Sequence, residues 1–130
     1  MGMLEYSLHI ESIGVHVADQ NVEVLRGTLD MLILRAVSWS PRHGYDVARW
    51  IERATDDVLR VEEGSLYPAL HRLETRGWID ADWGLSANNR RAKFYKLTPQ
   101  GRAQLRLETG SWKRFAHAVF AALEAPPSLA

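Results

Sequence analysis

Up to Gly77 the apolar residues of this chain recur at helical spacing, and directly after it they alternate. In "VEEGSLYPALHRLETRGWI", Leu66, Leu70 and Leu73 fall at i, i+4 and i+7, one face of a helix. In "WIDADWG", Ile79, Ala81 and Trp83 alternate with Asp80 and Asp82, and in "AKFYKLT", Tyr95 and Leu97 alternate with Phe94 and Lys96. That is the period of two half-buried strands. Between them "LSANNRR" offers Asn88 and Asn89, residues that tolerate the left-handed backbone of a hairpin loop. A helix followed at once by a β-hairpin is therefore the fixed point of the fold.

Two more helices precede this one. "EVLRGTLDMLILRAVSW" places Leu25, Leu29, Leu32, Ile33 and Ala36 on one stripe, with Thr28 as a candidate N-cap after Gly27. "SPRHG" punctuates the chain, and "GYDVARWIERAT" then carries Val47, Ala48, Ile51 and Ala54 at helical spacing with Asp46 in the favourable first turn. After the hairpin, Thr98 followed by Pro99 is a cap and a preorganised first residue. The helix they start has Leu105, Trp112 and Val119 spaced by sevens, with Ala116 and Leu123 on a seam beside them, and ends before "APP" at Ala125.

Pro68 tests this reading, because proline inside a helix removes a hydrogen bond. With Ser65 as N-cap, Pro68 falls at the third helical position, where its missing N–H has no intrahelical partner to lose. The expected organisation is an N-terminal extension over residues 1–21, three helices and a hairpin over 22–98, a long helix over 99–124 and a tail over 125–130. The fold class is mainly α with a small β-hairpin: a winged helix-turn-helix with a long C-terminal helix.

Charge and composition bear on function. Lys and Arg number 16 and so do Asp and Glu, so a uniformly basic nucleic-acid binder is excluded. The cations are nonetheless gathered. "LSANNRRAKFYK" holds Arg90, Arg91, Lys93 and Lys96 without an acid, and His71, Arg72 and Arg76 lie on the third helix. A local basic face is what phosphate binding requires. His43, at the start of the second helix, is a further candidate phosphate contact. With Leu66, Leu70 and Leu73 inward, Tyr67, Pro68, His71, Arg72 and Thr75 face outward.

The absence of cysteine removes disulfides and thiolate metal sites. The five histidines lack paired ligand spacing, and no cysteine nucleophile, HExxH, glycine-rich phosphate loop or Gly-x-Ser-x-Gly elbow occurs, so no enzyme and no cofactor is expected. No apolar run is long enough to span a bilayer, and the first residues form a poor signal peptide, so the expected location is cytoplasmic, away from membranes.

"GTLDMLILRAVSWSPRHGYDVARWIE", "EEGSLYPALHRLETRGWI" and "NNRRAKFYKLTPQG" together resemble the PadR family of bacterial transcriptional regulators, over about Leu25 to Gly101. The resemblance implies a repressor that binds double-stranded DNA as a homodimer on a pseudo-palindromic operator, dimerising through the C-terminal helix. Its seam here is Leu105, Trp112, Ala116, Val119 and Leu123. Carried over by position, Ser65, Tyr67, Pro68 and Arg72 become recognition-helix contacts, and Arg91 and Lys93 wing contacts. Arg72 would read a guanine edge, and Arg91 would grip the backbone. Some similar regulators stack a flat aromatic compound on a tryptophan of this helix. That makes Trp112 with Phe115 a candidate pocket for a small aromatic effector; simple filling of the dimer interface is the other reading. The alternative function is a winged helix used for protein interaction, without DNA binding.

Overall fold

A computed structural model describes residues 22–129. Helices α1 (Val22–Ala36), α2 (Gly44–Ala54), α3 (Glu63–Thr75) and α4 (Pro99–Glu124) surround a small sheet of β1 (Arg42–His43), β2 (Ile79–Leu85) and β3 (Arg91–Leu97); a 3-10 turn spans Pro127–Leu129. The expectation for residues 1–21 lies outside the described residues. The core joins the stripes of the first three helices to the start of the sheet: Leu29, Ile33, Val47, Ile51, Leu66, Leu70, Leu73 and Ile79 are almost wholly buried. Each such aliphatic side chain contributes roughly 1.5–3 kcal/mol by leaving water.

The sheet order is β1-β3-β2, antiparallel throughout. Two strands were expected, and among the described residues three are present. "RH" is too short for its alternation to be read, but Arg42 pairs with Tyr95 and His43 with Phe94. The register Ile79↔Leu97 through Leu85↔Arg91 puts Ile79, Ala81, Trp83 and Leu85 on the same face as Leu97, Tyr95, Lys93 and Arg91. The near end of that face is core, and the far end projects beyond it as the wing. At its tip the Asn89 N–H donates to the Ser86 carbonyl, and Asn89 takes the left-handed conformation at φ 59°.

Three local expectations are corrected. Helix α1 begins at Val22, so Thr28 lies inside it and does not cap it. Helix α3 begins at Glu63 with Glu62 as N-cap, because the Glu62 carbonyl accepts the N–H groups of Ser65 and Leu66. Ser65 is thus a first-turn residue, and Pro68 sits one turn in, opposite the Gly64 carbonyl that its absent N–H would have bonded. Gly64 is exposed, which makes that loss cheaper than in a buried turn. Leu105, expected on the seam between subunits, is 7% exposed and belongs to the core of its own chain. At that point α4 still lies against α1.

The joint between α3 and α4 aims the wing. Gly77, at φ 76°, closes α3 with two bonds: the Gly77 N–H donates to the Glu74 carbonyl and the Trp78 N–H to the Leu73 carbonyl. The Thr98 hydroxyl donates to the Gly77 carbonyl at 2.7 Å and accepts the Gly101 N–H at 3.0 Å. One side chain therefore ties the end of the third helix to the start of the fourth, as the Thr98-Pro99 signal anticipated for the cap alone.

Candidate nucleic-acid interface

Helix α3 turns its apolar stripe inward and leaves Tyr67, Pro68 and His71 exposed. The wing stands beside it. Between them, closed at one end by the start of α2, runs a cleft of about 390 Å³ lined by His43, Tyr45, Tyr67, Trp83, Arg91 and Lys93. The fold thus brings the candidates from three elements to one concavity. The Tyr67 ring lies so close to Gly44 that a Cβ there would meet its Cε1 at 2.7 Å. Glycine at 44 lets the second and third helices approach, as a helix-turn-helix requires.

Several candidates are already engaged within the chain. His43 is the N-cap of α2, its Nδ1 accepting the Asp46 N–H at 3.3 Å, and its ring meets Phe94 edge-on at 5.4 Å. Arg72, expected to turn outward, instead donates from Nη2 to Asp30 Oδ1 on α1 at 2.8 Å, with Arg76 3.9 Å from the same carboxylate. Burying an acid on α1 is viable only beside such a counter-charge, so the pull of Asp30 overrides the outward direction that spacing alone assigned. Lys93 donates to Glu74 Oε1 at 3.1 Å, and this bond raises its pKa above the ordinary 10.5. Burial likewise raises the pKa of neighbouring Tyr95.

Arg90 and Arg91 extend past these pairs. Both are exposed near the wing tip, and the Arg91 guanidinium sits 4.6 Å above the Trp83 ring. Stacking holds the charge in place while leaving its in-plane donors available. Trp83 and Tyr45 are largely exposed on this side. The sequence signals missed were Asp30, an acid inside an apolar run, and Glu74, which continues the outward stripe of Tyr67 and His71.

A second concavity of about 380 Å³ lies between α1 and α4, lined by residues including Met31, Leu107, Glu108, Trp112 and Phe115. The Trp112 and Phe115 rings stack at 5.3 Å and 19°. Glu108 accepts a bond from Gln104 on Oε1, while its buried Oε2 has no partner. Trp112 also packs on the core, whereas Val119, Phe120 and Leu123 further along α4 are exposed.

Three helices, a short strand completing the sheet and a cationic hairpin beside the third helix define a winged helix-turn-helix. Residues 33–107, more than half the chain, match the Transcriptional regulator PadR-like family. The chain belongs to this family of DNA-binding transcriptional regulators, and it is not an enzyme. It is 31% identical to Uncharacterized protein X of Lysinibacillus sphaericus over 90 residues, 69% of this chain and 83% of that one. It is 38% identical to Transcriptional regulator Rv3488 of Mycobacterium tuberculosis over 64 residues, 49% of this chain but only 46% of that regulator. Among solved structures, a PadR-like regulator of Bacillus cereus aligns with TM-score 0.69 and 27% identity over 80% of this chain and 99% of that one. A PadR-family regulator of Eggerthella lenta aligns with TM-score 0.66 and 30% identity over 81% and 89%. Among the described residues no helix is long and apolar enough to cross a membrane, and no group of side chains could hold a metal ion.

Proposed function

We propose that the chain is a homodimeric repressor that occupies a pseudo-palindromic operator and works in the cytoplasm. In this reading α3 of each subunit lies in a major groove with its outward stripe toward the bases, and Arg90 and Arg91 of each wing grip the flanking backbone. The observation that carries it is the apolar stripe on the distal half of α4. Phe120 and Leu123 are 61% and 75% exposed there, at helical spacing with Ala116 and Val119, and a second copy of the helix would cover them. Two recognition helices held by such a seam read half-sites about 34 Å apart, one turn of duplex.

Tyr67, Pro68, His71 and Ser65 are the recognition contacts in this scheme, and Lys93 joins the wing contacts once it leaves Glu74. His43 orients α2 as its cap. Arg72 acts from its seat on Asp30, bracing the helix against α1. Selection of bound fragments from random duplex tests the scheme: the expected product is an inverted repeat with half-sites one helical turn apart. Binding should also fall steeply as salt rises, by an exponent close to the number of phosphates neutralised. A single unrepeated site, or no duplex binding at low salt, would contradict it, the latter favouring a protein-interaction module.

The Trp112–Phe115 cleft is the effector site in this reading. Planar aromatic compounds are expected to quench tryptophan fluorescence, and Trp112→Ala to abolish the quenching. Quenching that persists in the variant would remove the cleft from the scheme.

A further inference from the structure

The charges around the recognition helix are arranged unlike those of a simple cationic face. Arg72 and Arg76 are turned to Asp30 on α1. On the side toward the wing stands an acid. Tyr67, His71 and Glu74 fall at i, i+4 and i+7, so Glu74 continues the outward stripe of the recognition helix. Its carboxylate reaches the wing and takes the Lys93 ammonium at 3.1 Å, and the two side chains are 34% and 37% exposed. At that exposure an ion pair is worth little to stability, so the fold has small need of this carboxylate. A carboxylate beside phosphates is repelled, and one in a major groove is accommodated where it can accept a hydrogen bond from a base edge, as from cytosine N4.

We propose that Glu74 is a specificity-determining residue of the DNA interface. In the free protein it holds Lys93. On operator DNA, Lys93 passes to a phosphate while the Glu74 carboxylate accepts a hydrogen bond from a cytosine amino group. On other duplexes no such donor lies in reach, so the Glu74–Lys93 pair stays closed and one phosphate contact is not made. The acid thereby weakens general binding more than operator binding. This inference rests on the DNA-binding reading above, in which α3 enters the major groove.

The test compares the wild-type chain with Glu74→Gln, Lys93→Gln and the double variant, on the selected operator and on random duplex, across a series of KCl concentrations. Glu74→Gln should tighten random-duplex binding about two- to five-fold and steepen its logarithmic salt slope by up to about 0.9, one phosphate's worth. Operator binding should gain less, and the preference for cytosine at one position should relax. In the Lys93→Gln background the gain on random duplex should shrink. A gain equal in both backgrounds, or an unchanged operator-to-random ratio in Glu74→Gln, would overturn the proposal while leaving DNA binding intact. Absence of duplex binding by the wild-type chain would overturn the underlying reading and this inference with it. Equal melting temperatures of wild type and Glu74→Gln are expected, and Glu74→Ala should repeat the affinity changes.

Discussion

Gly101→Ala is expected to be among the most destabilising single substitutions available in this chain. A Cβ at position 101 would lie 1.9 Å from the Trp78 carbonyl oxygen and 2.8 Å from a Leu97 methyl group. The carbonyl cannot rotate away, because it also accepts the Thr98 N–H, and Thr98 in turn caps α4 and bonds to the Gly77 carbonyl. Relief would require the whole start of α4 to lift from the joint, opening the core around Leu105 and Ile79. A cost of about 4 kcal/mol or more follows, a large share of the 5–15 kcal/mol that stabilises a typical domain. Thermal denaturation should show a Tm lower by about 10 °C or more. Gly64→Ala is the contrasting case: nothing lies within 4 Å of a Cβ there, and the position is helical. The Tm of that variant should be equal or higher by a small amount. Similar Tm values for the two variants would show that the α3–α4 joint is not as rigid as argued.

The second large effect concerns assembly. Val119→Glu, Phe120→Glu and Leu123→Glu combined should leave the fold of each subunit intact, because these side chains are exposed and make no part of the core. On the dimer reading they place charges on the seam of both helices at once. Sedimentation should then report a monomer, with the thermal transition of the isolated domain retained. Affinity for the full operator should fall by about 10² or more, because each recognition helix must bind as a separate event without the gain from linkage. Affinity for a single half-site should change little. A triple variant that still sediments as a dimer would move the seam elsewhere, and Leu105, buried within its own chain, would not be the place to look.

The elements were legible because they depend on local periodicity. Leu66, Leu70 and Leu73 mark α3 by spacing alone, Gly77 ends it by adopting φ 76°, and Thr98-Pro99 starts α4 by capping and preorganisation. The wing was legible for the same reason, its alternation and its Asn89 turn both being short-range. What sequence misplaced were features fixed by partners distant in the chain. The two-residue strand β1 exists only because β3 offers a free edge. The cap of α3 was misplaced for a different, local reason: Glu62 rather than Ser65 is the N-cap, its backbone carbonyl accepting the first bonds of the helix without any side-chain cap.

The site divides along the same line. Sequence by itself determined which elements form the candidate interface, where the cations cluster, and the membership of the PadR-like family, because repeated local patterns encode them. Only the tertiary structure decided what those charges do. Arg72 is drawn to Asp30, 42 residues away, and Lys93 to Glu74, 19 residues away, by electrostatic attraction between groups that the fold brings within hydrogen-bonding distance. Arg90 and Arg91 extend outward at the wing tip, one of them propped on Trp83. Spacing along a chain sets the face on which a side chain stands. The nearest opposite charge in space sets where that side chain points.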